Sequence, residues 1–131
     1  MTVLAEHDQE IRAAFGVMQA HIQALCEQDE TAMSETLHFP HYRLSGAELK
    51  VWPTAEHYFS DFRLRAGSNW RRSEFRDIQA LRASGNKVHL DAEIVRFDDK
   101  DNVIVSFRSL WVITYEDGIW AAKFRSSFAP A

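Results

Sequence analysis

The sequence holds one cysteine, three prolines and five glycines. A single thiol excludes an internal disulfide, so the fold has to be held by its core. Cys26 falls in a helical apolar pattern and reads as a small core residue. No apolar run approaches the roughly 20 residues of a membrane-spanning helix, so no membrane partner is expected. Basic excess is missing as well. The formal charge is −4, which argues against a nucleic-acid partner. Met1-Thr2-Val3-Leu4 is followed at once by Glu6, His7, Asp8 and Glu10, unlike a secretion signal, and a cytoplasmic location is expected. Glycine-rich phosphate loops and cofactor-attachment motifs are absent, and no cofactor is expected.

What is present is a chain of 131 residues, enough for one domain over 1–131 and not for two. Four Trp and nine Phe point to an aromatic-lined interior. Residues 61–87 carry a local surplus of arginine, including Arg63, Arg65, Arg71, Arg72, Arg76 and Arg82. A solvated sheet face or a salt-bridged subunit contact accounts for it.

Ile11, Phe15, Met18, Ile22 and Leu25 recur at spacings of three and four, which predicts a first helix. Asp29 can cap a short second helix over 30–37. His38-Phe39-Pro40-His41 breaks the helical pattern, because Pro40 lacks an amide proton and pushes Phe39 toward extended geometry. A hairpin follows, Tyr42–Leu44 and Leu49–Trp52 around Ser45-Gly46. A third helix then carries Ala55, Tyr58, Phe59 and Phe62 on its apolar face and ends at Gly67-Ser68-Asn69. From Trp70 onward three turn clusters separate long strands.

Strict alternation from two-residue turns assigns the faces of the sheet. From Asp117-Gly118, Tyr115 pairs with Trp120, Ile113 with Ala122, Trp111 with Phe124, Ser109 with Ser126 and Phe107 with Phe128. From Gly85-Asn86, Ala83 pairs with Val88, Leu81 with Leu90, Gln79 with Ala92 and Asp77 with Ile94. The middle hairpin joins these two apolar sets. Asp77, Ser109 and Ser126 are then polar residues on an aromatic face. A buried carboxylate there costs several kcal/mol unless paired or protonated. Its pKa would be raised by desolvation, which suits a general base.

The order helix, helix, hairpin, helix, three long strands resembles the nuclear transport factor 2-like superfamily over nearly the whole chain. It is also similar to the SnoaL-like group of small bacterial proteins. His38-Phe39-Pro40-His41, Trp52 and Trp120 with Arg125-Ser126-Ser127-Phe128 resemble a subgroup of uncharacterised members. The resemblance implies an α+β, cystatin-like fold. Its N-terminal helices and the concave face of an antiparallel-rich sheet would form a cone around a mostly apolar pocket. It also implies a homodimer, expected here through the outer sheet face, where Ile78, Leu110 and Val112 would meet. The superfamily contains isomerases, dehydratases, epoxide hydrolases and cyclases, and no catalytic signature of theirs matches this sequence.

Two functional readings follow. The first is a pocket for a small apolar or aromatic molecule, lined by Tyr58, Trp70, Phe75, Ser109, Trp111, Phe124 and Ser126. The alternative is an isomerase, dehydratase or cyclase in which Asp77 and either His38 or His41 transfer protons. A third, accessory reading has a filled core and no pocket. The two histidines also read as a structural pair, and they lack a third ligand for zinc. Aromatic residues at strand spacing read equally as plain core.

Overall fold

The computed structural model describes residues 6–128, so the ends of the expected 1–131 domain, with the Met1–Leu4 segment, lie outside the described residues. Helix α1 (Asp8–Glu27) buries Ala14, Met18, His21 and Leu25, with Ile11, Phe15 and Ile22 packed beside them. Gln28 closes it in the left-handed region. Asp29 caps α2 (Glu30–Ser34) by accepting the Ala32 N–H at 3.0 Å. This helix is shorter than the expected 30–37. The Thr36 carbonyl accepts the Ala122 N–H at 2.9 Å, and the chain turns into strand β1 (Leu37–Ser45). His38-Phe39-Pro40-His41 is therefore strand.

β2 (Glu48–Trp52) completes the hairpin around Gly46. Thr54 caps α3 (Ala55–Ala66), which buries Tyr58, Phe59 and Phe62 and ends at Gly67, whose φ of 83° an L side chain rarely adopts. Then come β3 (Arg72–Ala83), β4 (Lys87–Phe97), β5 (Val103–Glu116) and β6 (Ile119–Ser127). One six-stranded curved sheet runs β2-β1-β6-β5-β4-β3. Among the described residues only β1 and β6 pair in parallel; the other neighbours are antiparallel. The helices cover one face, and Trp111, Tyr58, Phe59, Met18 and Leu90 lie fully buried between.

The middle hairpin joins the two apolar sets as expected, with Leu90 opposite Trp111, Ala92 opposite Ser109 and Ile94 opposite Phe107. The outer hairpins start as expected and then slip. On β5–β6, Ile113 meets Ala122, but the next pair is Val112 with Phe124. Lys123 is an extra residue, and an extra residue reverses every side chain beyond it. Trp111 consequently faces Arg125 and Ser109 faces Ser127, while Phe124 and Ser126 point to the outer face. On β3–β4, Leu81 and then Asp77 are inserted: Ala80, not Leu81, meets Leu90, and Phe75, not Asp77, meets Ile94. Asp77 sits in the left-handed region at φ 52°. Ile78 is thereby turned inward against the core rather than outward.

Candidate functional site

Once the bulges are placed, the concave face carries arginines where alternation expected aromatic residues. Arg125 of β6, Arg96 of β4 and Arg43 of β1 point inward and are 8%, 9% and 3% exposed. Arg65 joins them from α3, two turns beyond Tyr58 on the same helix face. The four guanidinium groups line one cavity with His21, Tyr58, Phe62, Ile94, Phe107, Ser109, Trp111 and Ser127. Its free volume is about 10 Å³, close to the least that holds a single water.

Counter-charge is scarce. Asp61 accepts from Arg65 Nε at 3.0 Å, from Trp52 Nε1 at 2.9 Å and from Lys50 Nζ at 3.3 Å. Burial pushes its carboxyl up, but Arg65 and these three donors outweigh that and hold it below the ordinary value. No carboxylate pairs with Arg43, Arg96 or Arg125 among the described residues. Aromatic faces stand in for part of the missing charge. The Arg125 guanidinium carbon lies 5.0 Å from the Trp111 ring centre and 5.3 Å from that of Tyr58. That of Arg96 lies 5.1 Å from Phe107.

Five N–H donors on the cavity wall have no protein partner among the described residues: Arg125 Nε and Nη2, Arg96 Nε, Arg65 Nη2 and Trp111 Nε1. Burial, then neighbouring cations, pushes Arg43 down to about 9 and Arg96 to about 10. Arg125 is lowered by burial too. A guanidinium keeps its proton at neutral pH, and the common downward direction reflects burial and the crowding of cations around the single carboxylate of Asp61.

Both inward histidines are held neutral. The Thr36 hydroxyl donates to the Met33 carbonyl at 2.9 Å, so it accepts from His21 Nδ1–H at 3.0 Å. Burial first and Arg125 second push His21 down to about 3. His41 donates Nδ1–H to the Ala122 carbonyl at 3.0 Å, and burial followed by Arg125 lowers its pKa well below the usual value. Its ring stacks on Trp52 at 6.0 Å.

Of the residues singled out in the sequence, Tyr58, Ser109 and Trp111 line the cavity. Phe75 packs behind it, against His21 and Trp111. Trp70 lies at the edge, its ring against Phe62 and its N–H on Ser73 Oγ at 2.8 Å. Phe124 and Ser126 do not reach it, for the register reason given above. His38 donates Nε2–H to the Thr114 carbonyl at 3.0 Å, near Glu116 and away from the cavity lining. Asp77 is 58% exposed on the outer face, where it accepts from Gln79 at 3.0 Å and pairs with Arg108, which also holds Asp91. The expectation of a desolvated Asp77 opening into the cone is thus corrected: the extra residue at Leu81 reverses the strand beyond it and turns Asp77 outward. Cys26 is half-buried, its thiol donating to the Ser73 carbonyl at 3.1 Å.

Among the described residues no group of acidic, histidine or cysteine side chains is arranged to hold a metal ion, and no helix is long and apolar enough to cross a membrane. No protein-family model and no curated protein matches the sequence. Solved structures match its shape. An NTF-2 like protein of unknown function from Shewanella oneidensis MR-1 superposes with a TM-score of 0.71 at 9% identity, over 90% of this chain and 98% of that one. A protein of unknown function with a cystatin-like fold from Nostoc punctiforme PCC 73102 gives 0.71 at 12% identity, over 97% and 93%. An NTF2-like protein from Cytophaga hutchinsonii ATCC 33406 gives 0.67 at 18% identity, over 88% and 94%. The chain has the nuclear transport factor 2-like, cystatin-like α+β fold.

Proposed function

We propose that this chain is a small-molecule-binding domain whose arginine cluster takes the acidic group of a small organic anion, the cavity widening from its free volume of about 10 Å³ as the anion enters. The observation that carries the reading is the set of buried guanidinium N–H groups on Arg125, Arg96 and Arg65 without a protein acceptor. Buried donors of this kind cost free energy until they are satisfied. A carboxylate or another oxyanion supplies both the missing charge and the missing lone pairs, and Arg binds such groups in a two-pronged fork. Tyr58, Phe62, Phe107 and Trp111 offer rings to the apolar part of the molecule. This reading takes Tyr58, Ser109 and Trp111 from the pocket expected in the sequence, leaves out Phe124 and Ser126, and adds an acidic head group.

The enzymatic alternative has weaker support. Asp77 lies on the outer face, His38 is turned to the β5–β6 turn, and His41 is a neutral ring with too low a proton affinity to act as a base near pH 7. Thermal melting with benzoate, acetate, phosphate and sulfate, against chloride at equal ionic strength, tests the binding reading. An anion at a hundred times its Kd stabilises the fold by about 2.7 kcal/mol. Uncharged benzyl alcohol is expected to give no comparable shift. Equal melting curves for all five additives would overturn the reading.

The outer sheet face supports a homodimer. Leu110, Val112 and Phe124 lie there beside Tyr42, Leu44, Leu49 and Val51, an apolar stripe next to the Asp77–Arg108–Asp91 ion pairs. Such a mixture suits a semi-polar contact. Sedimentation at tens of micromolar (an order-of-magnitude choice) is expected to give twice the chain mass. A single monomer species with an unaltered profile for Phe124→Glu would remove the proposal.

A further inference from the structure

The arginine cavity has a neighbour that shares its wall. A second hollow, of about 20 Å³, is lined by Arg43, Ser45, Glu48, Lys50 and Arg65, so Arg43 and Arg65 border both spaces. Cations therefore continue from the buried Arg125 outward to Lys50, whose side chain is 39% exposed. We propose that the ligand is a dianionic small molecule, a dicarboxylate or its equivalent, with its inner acid at Arg125 and Arg96 and its outer acid read by Lys50, the side chains between the two small hollows yielding to admit it. This deepens the binding reading above and rests on it.

Charge is the first support. The two hollows assemble four arginines and Lys50 against the carboxylates of Asp61 and Glu48. One bound carboxylate leaves most of that positive excess in place, and a second removes more of it. Geometry is the next. Arg65 gives its Nε to Asp61 and keeps Nη2 without a partner, so one guanidinium can serve Asp61 and an incoming acid together. Lys50 reaches both Asp61 oxygens, at 3.3 and 3.4 Å, from a single ammonium with three protons, and retains a donor for another acceptor. Glu48 is exposed at the rim of the outer hollow, where its like charge weakens but does not cancel the attraction. The outer acid is accordingly the weaker contact, and it serves selectivity more than grip.

The probes are the straight-chain dicarboxylates from malonate to adipate and the monocarboxylates from propionate to hexanoate. They are titrated calorimetrically at constant ionic strength. The best dicarboxylate is expected to bind about tenfold more tightly than the monocarboxylate of equal length, the effect of one added charge-assisted contact. Lys50→Met lowers that ratio to about one, and Glu48→Gln raises it. Equal affinity for the two series in the wild type, or a ratio that survives Lys50→Met, overturns the proposal while leaving the single-anion site standing. Absence of binding by either series overturns both.

Discussion

Replacing Arg125 by methionine is expected to make the ligand-free protein more stable while it removes anion binding. Arg125 is buried beside Arg43, Arg65 and Arg96, with no carboxylate paired to it. Desolvating one charge costs several kcal/mol, and the nearby cations add repulsion. Methionine has similar length, no charge and enough flexibility to fill the space between Trp111 and Tyr58. Against this gain stand the lost contacts with three aromatic rings and the Tyr58 hydroxyl. Each cation–ring contact contributes about 0.5–2 kcal/mol, so they return part of the desolvation cost. The net expectation is a gain of about 1–2 kcal/mol, at the low end of what hydrophobic replacement of buried charges delivers. It is read as a higher urea midpoint at unchanged slope. Loss of the central cation should meanwhile weaken benzoate or phosphate binding by 2–5 kcal/mol, roughly 30-fold or more. A variant less stable than the wild type by over about 2 kcal/mol would mark Arg125 as a structural post held by its ring contacts. Such a pairing of lower stability with a functional site is the usual cost of preorganised charge.

The helices and turns were legible because each has a local physical cause. The stripe from Ile11 to Leu25, the Asp29 cap and the Gly118 turn all depend on neighbours in sequence. The joining of the two apolar sets across the middle hairpin was legible as well, because pattern alone put Leu90 and Trp111 on one face. The site was not, and the reason is three single-residue insertions. Leu81, Asp77 and Lys123 each add one residue to a strand, and nothing in their side chains announces a bulge. Lys123 alone moves Phe124 and Ser126 out of the cone and brings Arg125 and Ser127 in. Leu81 in the same way turns Asp77 out of the cone and Ile78 in. Arg96 did carry a signal, since it lies in phase with Val88, Leu90, Ala92 and Ile94 on an inward-facing strand set. Arg65 sits in helical phase with Tyr58 and Phe62. Reading arginine as a surface residue by default hid both, because burial of a cation depends on what four separate elements bring together.

Stability is expected to fall steeply as pH drops from 7 to 5. His21 is buried and neutral in the fold with a pKa of about 3, against an ordinary value of 6.5. The lowered folded value means that the unfolded chain takes up the proton first. Stability is therefore level above about pH 6.5 and declines below it, down to the folded pKa. At pH 5 the difference in proton affinity costs about 2 kcal/mol for this one group, since each pKa unit is worth about 1.4 kcal/mol. His41 is shifted in the same direction by burial and by Arg125 and adds to the slope. Asp61, whose pKa is held low, contributes only further down, where its carboxyl begins to protonate and releases Arg65 and Lys50. Urea unfolding at pH 7, 6 and 5 measures the slope directly. His21→Asn should reduce it, because the amide can still donate to Thr36 but does not titrate. A bound carboxylate beside Arg125 should reduce it as well, since it offsets the cation that helps to keep His21 neutral. Equal stability at pH 7 and pH 5 in the wild type would mean that the two rings take up protons without cost, which a buried imidazole among arginines cannot do.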